Sequence, residues 1–154
     1  MIKIDLGCGH KKPKGYIGVD IVQVDGVDIV HDCNKDLPFE DNYADLIRAW
    51  DFIEHIEGKN VIHLMNEIWR VLKPSGEFYF KVLDAEKGQG AFQDPTHRSF
   101  WVKNSFKYYE NTHYHDLYGI KANFKTEELE SIEYEYGYWG KNYALVGMLR
   151  VIKK

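Results

Sequence analysis

The chain of 154 residues is long enough for one core, and we read 1–154 as a single domain. Hydrophobic residues at 44% and charged residues at 29% are ordinary for a globular protein, and the net charge of -4 argues against the broad basic footprint that nucleic acid or an anionic membrane requires. There is no apolar run near the ~18 residues of a membrane span and no charged-then-apolar leader, so the expected setting is cytoplasmic, with no membrane partner.

Apolar, β-branched runs at 2–6 and 16–21 read as the first two strands, joined by a GxG turn at Gly7 and Gly9. Only His10 to Gly15 separate that turn from the second run, and a parallel crossover containing a helix needs at least ~10–12 residues. The connection should therefore be helix-free. Strands are expected at 27–31 and 44–50, and this Ile- and Val-rich set suits a parallel sheet covered on both faces. Val61, Leu64, Met65, Ile68 and Leu72 recur on one helical face, which predicts a helix over 59–72; Pro74 and Gly76 end it before a strand at 77–83. After an irregular insert at 84–119, alternation at 132–138 and an extended run at 143–152 predict an antiparallel hairpin closing the sheet. The expected fold is an α/β open sheet, mostly parallel, poor in helices, with its ligand site at the carboxyl ends of the strands.

Five segments in order, IDLGCG at 2–7 and onward to Gly9, GVDI at 18–21, HDCNKDLPFEDNYADLI at 31–47, DFIEHI at 51–56 and EIWRVLKPSGEFYF at 67–80, resemble the class I, Rossmann-like S-adenosylmethionine-dependent methyltransferases. The resemblance implies S-adenosylmethionine as cofactor, with Gly7, Cys8 and Gly9 as its backbone cradle and Asp20, followed by Ile21, at the ribose. Asp32 and the Cys33 amide would meet the adenine, and Asp5 the ammonium of the methionine moiety. Ala49, Trp50 and Asp51 would border the sulfonium and the acceptor. Lys11 stands where the family has its third glycine, and the sequence offers no helix ahead of its first strand.

The chemistry of the residues is consistent with that ligand. A dinucleotide needs a helix N-terminus for its pyrophosphate, whereas a sulfonium nucleoside needs only close backbone approach and a carboxylate for its diol. The implied activity is methyl transfer to a small acceptor; the alternatives are a catalytically silent cofactor-binding or partner subunit, and an NAD-dependent oxidoreductase. In-line displacement at an activated sulfonium can proceed by alignment alone, and if a general base is used the candidates are Asp51, His55 and His97. Glu54 beside His55 is a further acid of this kind, though residues here more often hold the following loop. Lys11, Lys12 and Lys14 read as a solvated cluster, and Cys8 and Cys33, without a CxxC, as small buried hydrophobes. The DPTH and HYHD clusters do not match a fixed ligand spacing, so no metal is expected. The insert's aromatics, Trp101 and Tyr109 among them, are expected to line the acceptor side or a homodimer contact.

Overall fold

In the computed structural model, which describes residues 1–110 and 112–153, seven strands form one sheet in the order β3-β2-β1-β4-β5-β7-β6. The strands are β1 Lys3–Leu6, β2 Ile17–Asp20, β3 Ile29–Val30, β4 Ala44–Trp50, β5 Leu72–Leu83, β6 Phe124–Glu135 and β7 Lys141–Val151. β1 to β5 pair in parallel, and β7 and β6 add antiparallel. The chain proceeds outward from β1 to β3 on one side, then returns to β4 on the other. The crevice between β1 and β4 is therefore the topological switch point, where open α/β sheets place their ligands.

The β1–β2 connection is helix-free, as its length dictates. Gly7, at φ 66°, turns the chain, and the Gly7 and Cys8 amides donate to the Val19 carbonyl at 2.8 and 3.2 Å. The predicted central helix is α1, Val61–Val71, with its first expected turn formed instead as a 3₁₀ turn at Gly58–Asn60. Its buried stripe of Leu64, Met65, Ile68 and Val71 packs into one core with Ile4, Leu6, Ile47, Phe78 and Phe80. On the same helix Glu67 is 8% exposed, accepts from the Leu37 amide at 2.7 Å and pairs with Arg70, whose guanidinium also reaches the Phe39 and Leu37 carbonyls. Two residues of the EIWR segment thus anchor the irregular stretch that carries Asp32 and Cys33.

The structure corrects the expectation of a sheet covered on both faces. Alternation along the strands sends Ile4, Leu6, Ile47, Ala49, Phe78 and Phe80 to the α1 side and Leu46, Arg48, Trp50, Tyr79 and Lys81 to the other. The second set is half-buried, its side chains covering one another: the Arg48 guanidinium lies 4.7 Å over the Trp50 ring and the Lys81 ammonium 4.8 Å over Tyr134. Of the insert, α2 (Gly90–Gln93), α3 (Lys103–Lys107) and α4 (His115–Tyr118) are each at most five residues. α3 reaches the core face, where Phe106 stacks on Phe80 at 4.2 Å. No helix among the described residues is long and apolar enough to cross a membrane.

Candidate functional site

Two cavities open at the carboxyl ends of the strands, and they meet at Asp51 and His55. The first, about 360 Å³, lies at the β1/β4 switch point and is lined by Gly7, Asp20, Ile21, Asp32, Cys33 and Asn34, with His31, Asp51, Phe52, His55 and Ile56 closing it. Asp20 ends β2. Its Oδ2 accepts the Gly9 amide at 2.9 Å and its Oδ1 the Val22 amide at 3.1 Å, which fixes the carboxylate while leaving further lone pairs for hydroxyl donors. Asp32 is held below the usual carboxylate range by the Asn34 backbone amide and side chain, both bonded to Oδ1. Among the described residues, three aspartates and no lysine or arginine face this cavity. Lys12 is engaged elsewhere, at 2.6 Å from Asp28, whose carboxylate also takes the Gly18 amide.

Asp51 sits where the two cavities join. Directly after β4 it adopts φ 51°, a left-handed conformation uncommon outside glycine, and it is held there by its amide to the Lys81 carbonyl at 2.9 Å and its carboxylate to Lys81 Nζ at 3.0 Å. The second cavity, about 200 Å³, is lined by Asp51, Glu54, His55, Leu83, Gly90, Gln93, Asp94, His97, Tyr134, Tyr136 and Asn142. The insert forms one wall and is fastened to the 3₁₀ turn Ile53–His55 by the Arg98 and Ser99 amides, which donate to the Glu54 carbonyl at 2.8 and 3.0 Å. Ser99 Oγ donates to the Ile53 carbonyl at 2.9 Å.

Within this second cavity the His55 and His97 rings meet edge to face at 4.9 Å. His97 Nδ1 lies 2.8 Å from the Ala91 carbonyl, so that nitrogen carries a proton, and Nε2 lies 3.7 Å from Asp94. Burial, then the neighbouring His97, lowers the His55 pKa; its Nδ1 is 3.1 Å from Thr96 Oγ1. Glu54 is 3% exposed, and its Oε2 is sealed without a hydrogen-bond partner. Burial pushes this carboxyl up to about 7; its own amide, Asp51, the Leu83 amide and Lys81 act in opposing directions around it. Tyr134 is pushed up to about 12 by burial and then by Asp51 and its other acidic neighbours.

The expected residues divide. Asp20, Ile21, Asp32, Cys33 and Gly7 share the first cavity, Asp51 and His55 belong to both, and His97 lines the second. Asp5, Cys8, Gly9, Ala49 and Trp50 are not among the side chains lining either. Asp5 is fully buried with Oδ1 2.7 Å from Arg48 and Oδ2 unpartnered, Cys8 is 5% exposed, and Gly9 acts through the amide that orients Asp20. Ala49 is sealed in the core, and Trp50 faces the uncovered side of the sheet. A Cβ on Gly7 would come within 2.1 Å of the Phe52 ring, so the absent side chain makes room for Phe52.

The insert's aromatics require a correction. Trp101 and Tyr109 are 3% and 4% exposed and belong to the core, Trp101 stacking on Phe106 at 5.0 Å. A hollow of about 570 Å³ lies between the start of α1 and the insert, lined by Val61, Ile62, Phe100, Trp101, Tyr108 and Tyr109 among others; Arg98 on its wall is bonded to the Pro95 and His97 carbonyls. The rings that do face the second cavity come from the end of β6, Tyr134 within the strand and Tyr136 just past it. Their i, i+2 spacing was visible as strand alternation, but nothing local said that this strand borders the site. Among the described residues no three His, Cys, Asp or Glu side chains gather to hold a metal ion.

A family model described as "Methyltransferase domain" matches residues 4–80. Among solved structures, a Bacillus halodurans protein superposes with TM-score 0.70 at 13% identity, over 98% of this chain and 92% of that one. A SAM-dependent methyltransferase of Methanosarcina mazei gives 0.68 at 15%, over 99% and 92%. The [4+2]-cyclase SpnF gives 0.67 at 17%, over 99% of this chain and 74% of that one. At such identities the likeness concerns the fold, which hosts more than one chemistry. No curated protein sequence matches the chain.

Proposed function

Because the chain belongs to the methyltransferase-domain family of class I, Rossmann-like S-adenosylmethionine-dependent enzymes, we propose that it transfers the cofactor's methyl group to a small cytoplasmic acceptor held in the cavity beyond Asp51. The observation that carries this reading is the junction of two cavities at Asp51 and His55, one suited to a nucleoside and the other to its reaction partner. The first cavity fits the cofactor by its chemistry. A cationic sulfonium and a ribose diol match a lining of three aspartates, whereas a pyrophosphate would find neither an α-helix N-terminus nor, among the described residues, a lysine or arginine there. Its volume lies at the low end for a pocket holding a drug-sized ligand.

When bound, S-adenosylmethionine supplies a methyl group already activated by the positive sulfur. The chain's own part is placement. Asp20 accepts from the ribose hydroxyls, oriented by the Gly9 and Val22 amides; Asp32 and Cys33 border the base; Asp51, fixed by Lys81, marks the passage to the acceptor. Alignment of this kind contributes up to roughly 7–11 kcal/mol toward a displacement barrier.

Titration calorimetry tests the cofactor half. S-adenosylmethionine and S-adenosylhomocysteine should bind and NAD should not, and Asp20→Ala should weaken both sulfur nucleosides at least ~10-fold, about 1.4 kcal/mol. Heat from NAD alone would replace the reading with an oxidoreductase. Binding without release of labelled methyl to any small-molecule pool would make the chain a silent subunit.

A further inference from the structure

Glu54 is an expensive residue to keep. A carboxyl 97% removed from solvent, with one oxygen lacking any hydrogen bond, destabilises a fold once it ionises, unless a cation completes it. Its backbone is held by the Arg98 and Ser99 amides, so the side chain is placed by the insert and the 3₁₀ turn together, and it lines the 200 Å³ cavity. That volume corresponds to roughly six or seven water-sized groups.

The charges around it limit what can enter. Asp51, Glu54 and Asp94 line the cavity, and among the described residues no lysine or arginine does. The nearest ammonium, Lys81, is committed to Asp51 from the sheet side and lies over the Tyr134 ring. His97 is tied to the Ala91 carbonyl, and His55 is biased toward its neutral form. An anionic acceptor would meet three carboxylates without a fixed counter-charge. A neutral alcohol would offer the Glu54 carboxyl a hydrogen bond but no charge. An alkylammonium supplies both, and the Tyr134 and Tyr136 rings suit a cation beside them.

Resting on the methyl-transfer reading, we infer that the acceptor is a small amine and that the Glu54 carboxylate is the group that binds its ammonium and takes its proton. One N–H bond of the ammonium breaks, its electron pair stays on nitrogen as the lone pair needed for attack, and the proton moves to a Glu54 carboxylate oxygen. The proton returns to water when the product leaves. Burial raises the carboxyl's proton affinity and lowers the ammonium's, which brings the two into range for this transfer.

The test uses the full chain saturated with S-adenosylhomocysteine and titrated by NMR with benzylamine and n-butylamine, against the alcohols and carboxylates of the same carbon skeletons. At least one amine should bind ten-fold or more tightly than its alcohol and carboxylate, and E54Q should abolish that preference while keeping S-adenosylhomocysteine affinity within about two-fold. In protein labelled at the glutamate carboxyl carbons, the Glu54 titration midpoint should fall when the amine binds and stay when the alcohol does. Equal binding of amines and alcohols, an unmoved midpoint, or a preference that survives E54Q overturns the inference. So does loss of the sulfur nucleoside in E54Q, which would place Glu54 in the cofactor's site. Failure of the unaltered chain to bind S-adenosylhomocysteine would strike the methyl-transfer reading instead, and the two failures are separable.

Discussion

Replacing Glu54 by glutamine should change how stability depends on pH more than it changes stability itself. The folded carboxyl has its pKa raised to about 7 against 4.5 unperturbed, chiefly by burial. A raised acid binds its proton more tightly when folded, so its contribution to stability is fully present below 4.5 and is lost as pH climbs through 7. Each unit is worth ~1.4 kcal/mol, so ionising Glu54 in the fold costs about 3 kcal/mol above pH 7, of which about 2–3 kcal/mol accrues between pH 5 and 8. Glutamine does not titrate. The difference in unfolding free energy, E54Q minus unaltered protein, should therefore rise by about 2–3 kcal/mol over that interval, roughly 5–10 °C in melting temperature for a chain of this size. Any fixed cost of burying the amide is the same at every pH and cancels. Asp51, His55, His97 and Lys81 remain in both proteins. Urea unfolding at pH 5, 6, 7 and 8 measures the difference, and a flat line would show that Glu54 ionises in the fold as freely as in water.

Trp101→Ala should cost ~3–5 kcal/mol, because the ring is core packing against Phe106 with its Nε1 bonded to Ser99 Oγ; a thermal melt reads it, and an unchanged melting temperature would move Trp101 back to the surface. Arg48→Met should destabilise by roughly 3–5 kcal/mol at neutral pH, since it strands the buried Asp5 carboxylate whose Oδ2 already lacks a partner. Adding Asp5→Asn should restore most of that loss, and a double variant no more stable than the single would show that the pair is not what couples them.

The sequence disclosed what is encoded locally. β1, β2 and β4 follow from apolar runs, α1 from its 3.6-residue stripe, and the helix-free turn from a count of residues between Gly9 and Tyr16. The first half of β6 was missed because Glu127, Glu128 and Glu130 lie on an outermost strand with solvent on one side, where no apolar alternation is required. Strand ends carrying Asp20 and Asp51 were legible as positions at the mouth of a cavity. Side-chain direction was less so: one step along β4 separates Ala49 in the core from Trp50 on the open face. Aromatic composition also cannot distinguish buried Trp101 and Tyr109 from Phe92 and Phe100, which stack on each other at 60% and 51% exposure. Tyr134 and Tyr136 reach the second cavity only because β7 pairs with β5, joining Glu77 to Arg150 and Leu83 to Ala144, and brings β6 alongside.

That pairing divides the labour between the ends of the polypeptide. The first cavity is lined entirely by residues 7–56, inside the stretch that the family shares, whereas most of the wall of the second cavity comes from 83–142, past its end at 80. Substitutions in the hairpin and insert can therefore reshape one cavity without touching the other, except through Asp51 and His55. On the proposed reading, a lineage can retain one donor while exchanging recipients, and swapping the tail between relatives is the corresponding route for an engineer. The Asp51–Lys81 contact is the seam at which such a graft must match.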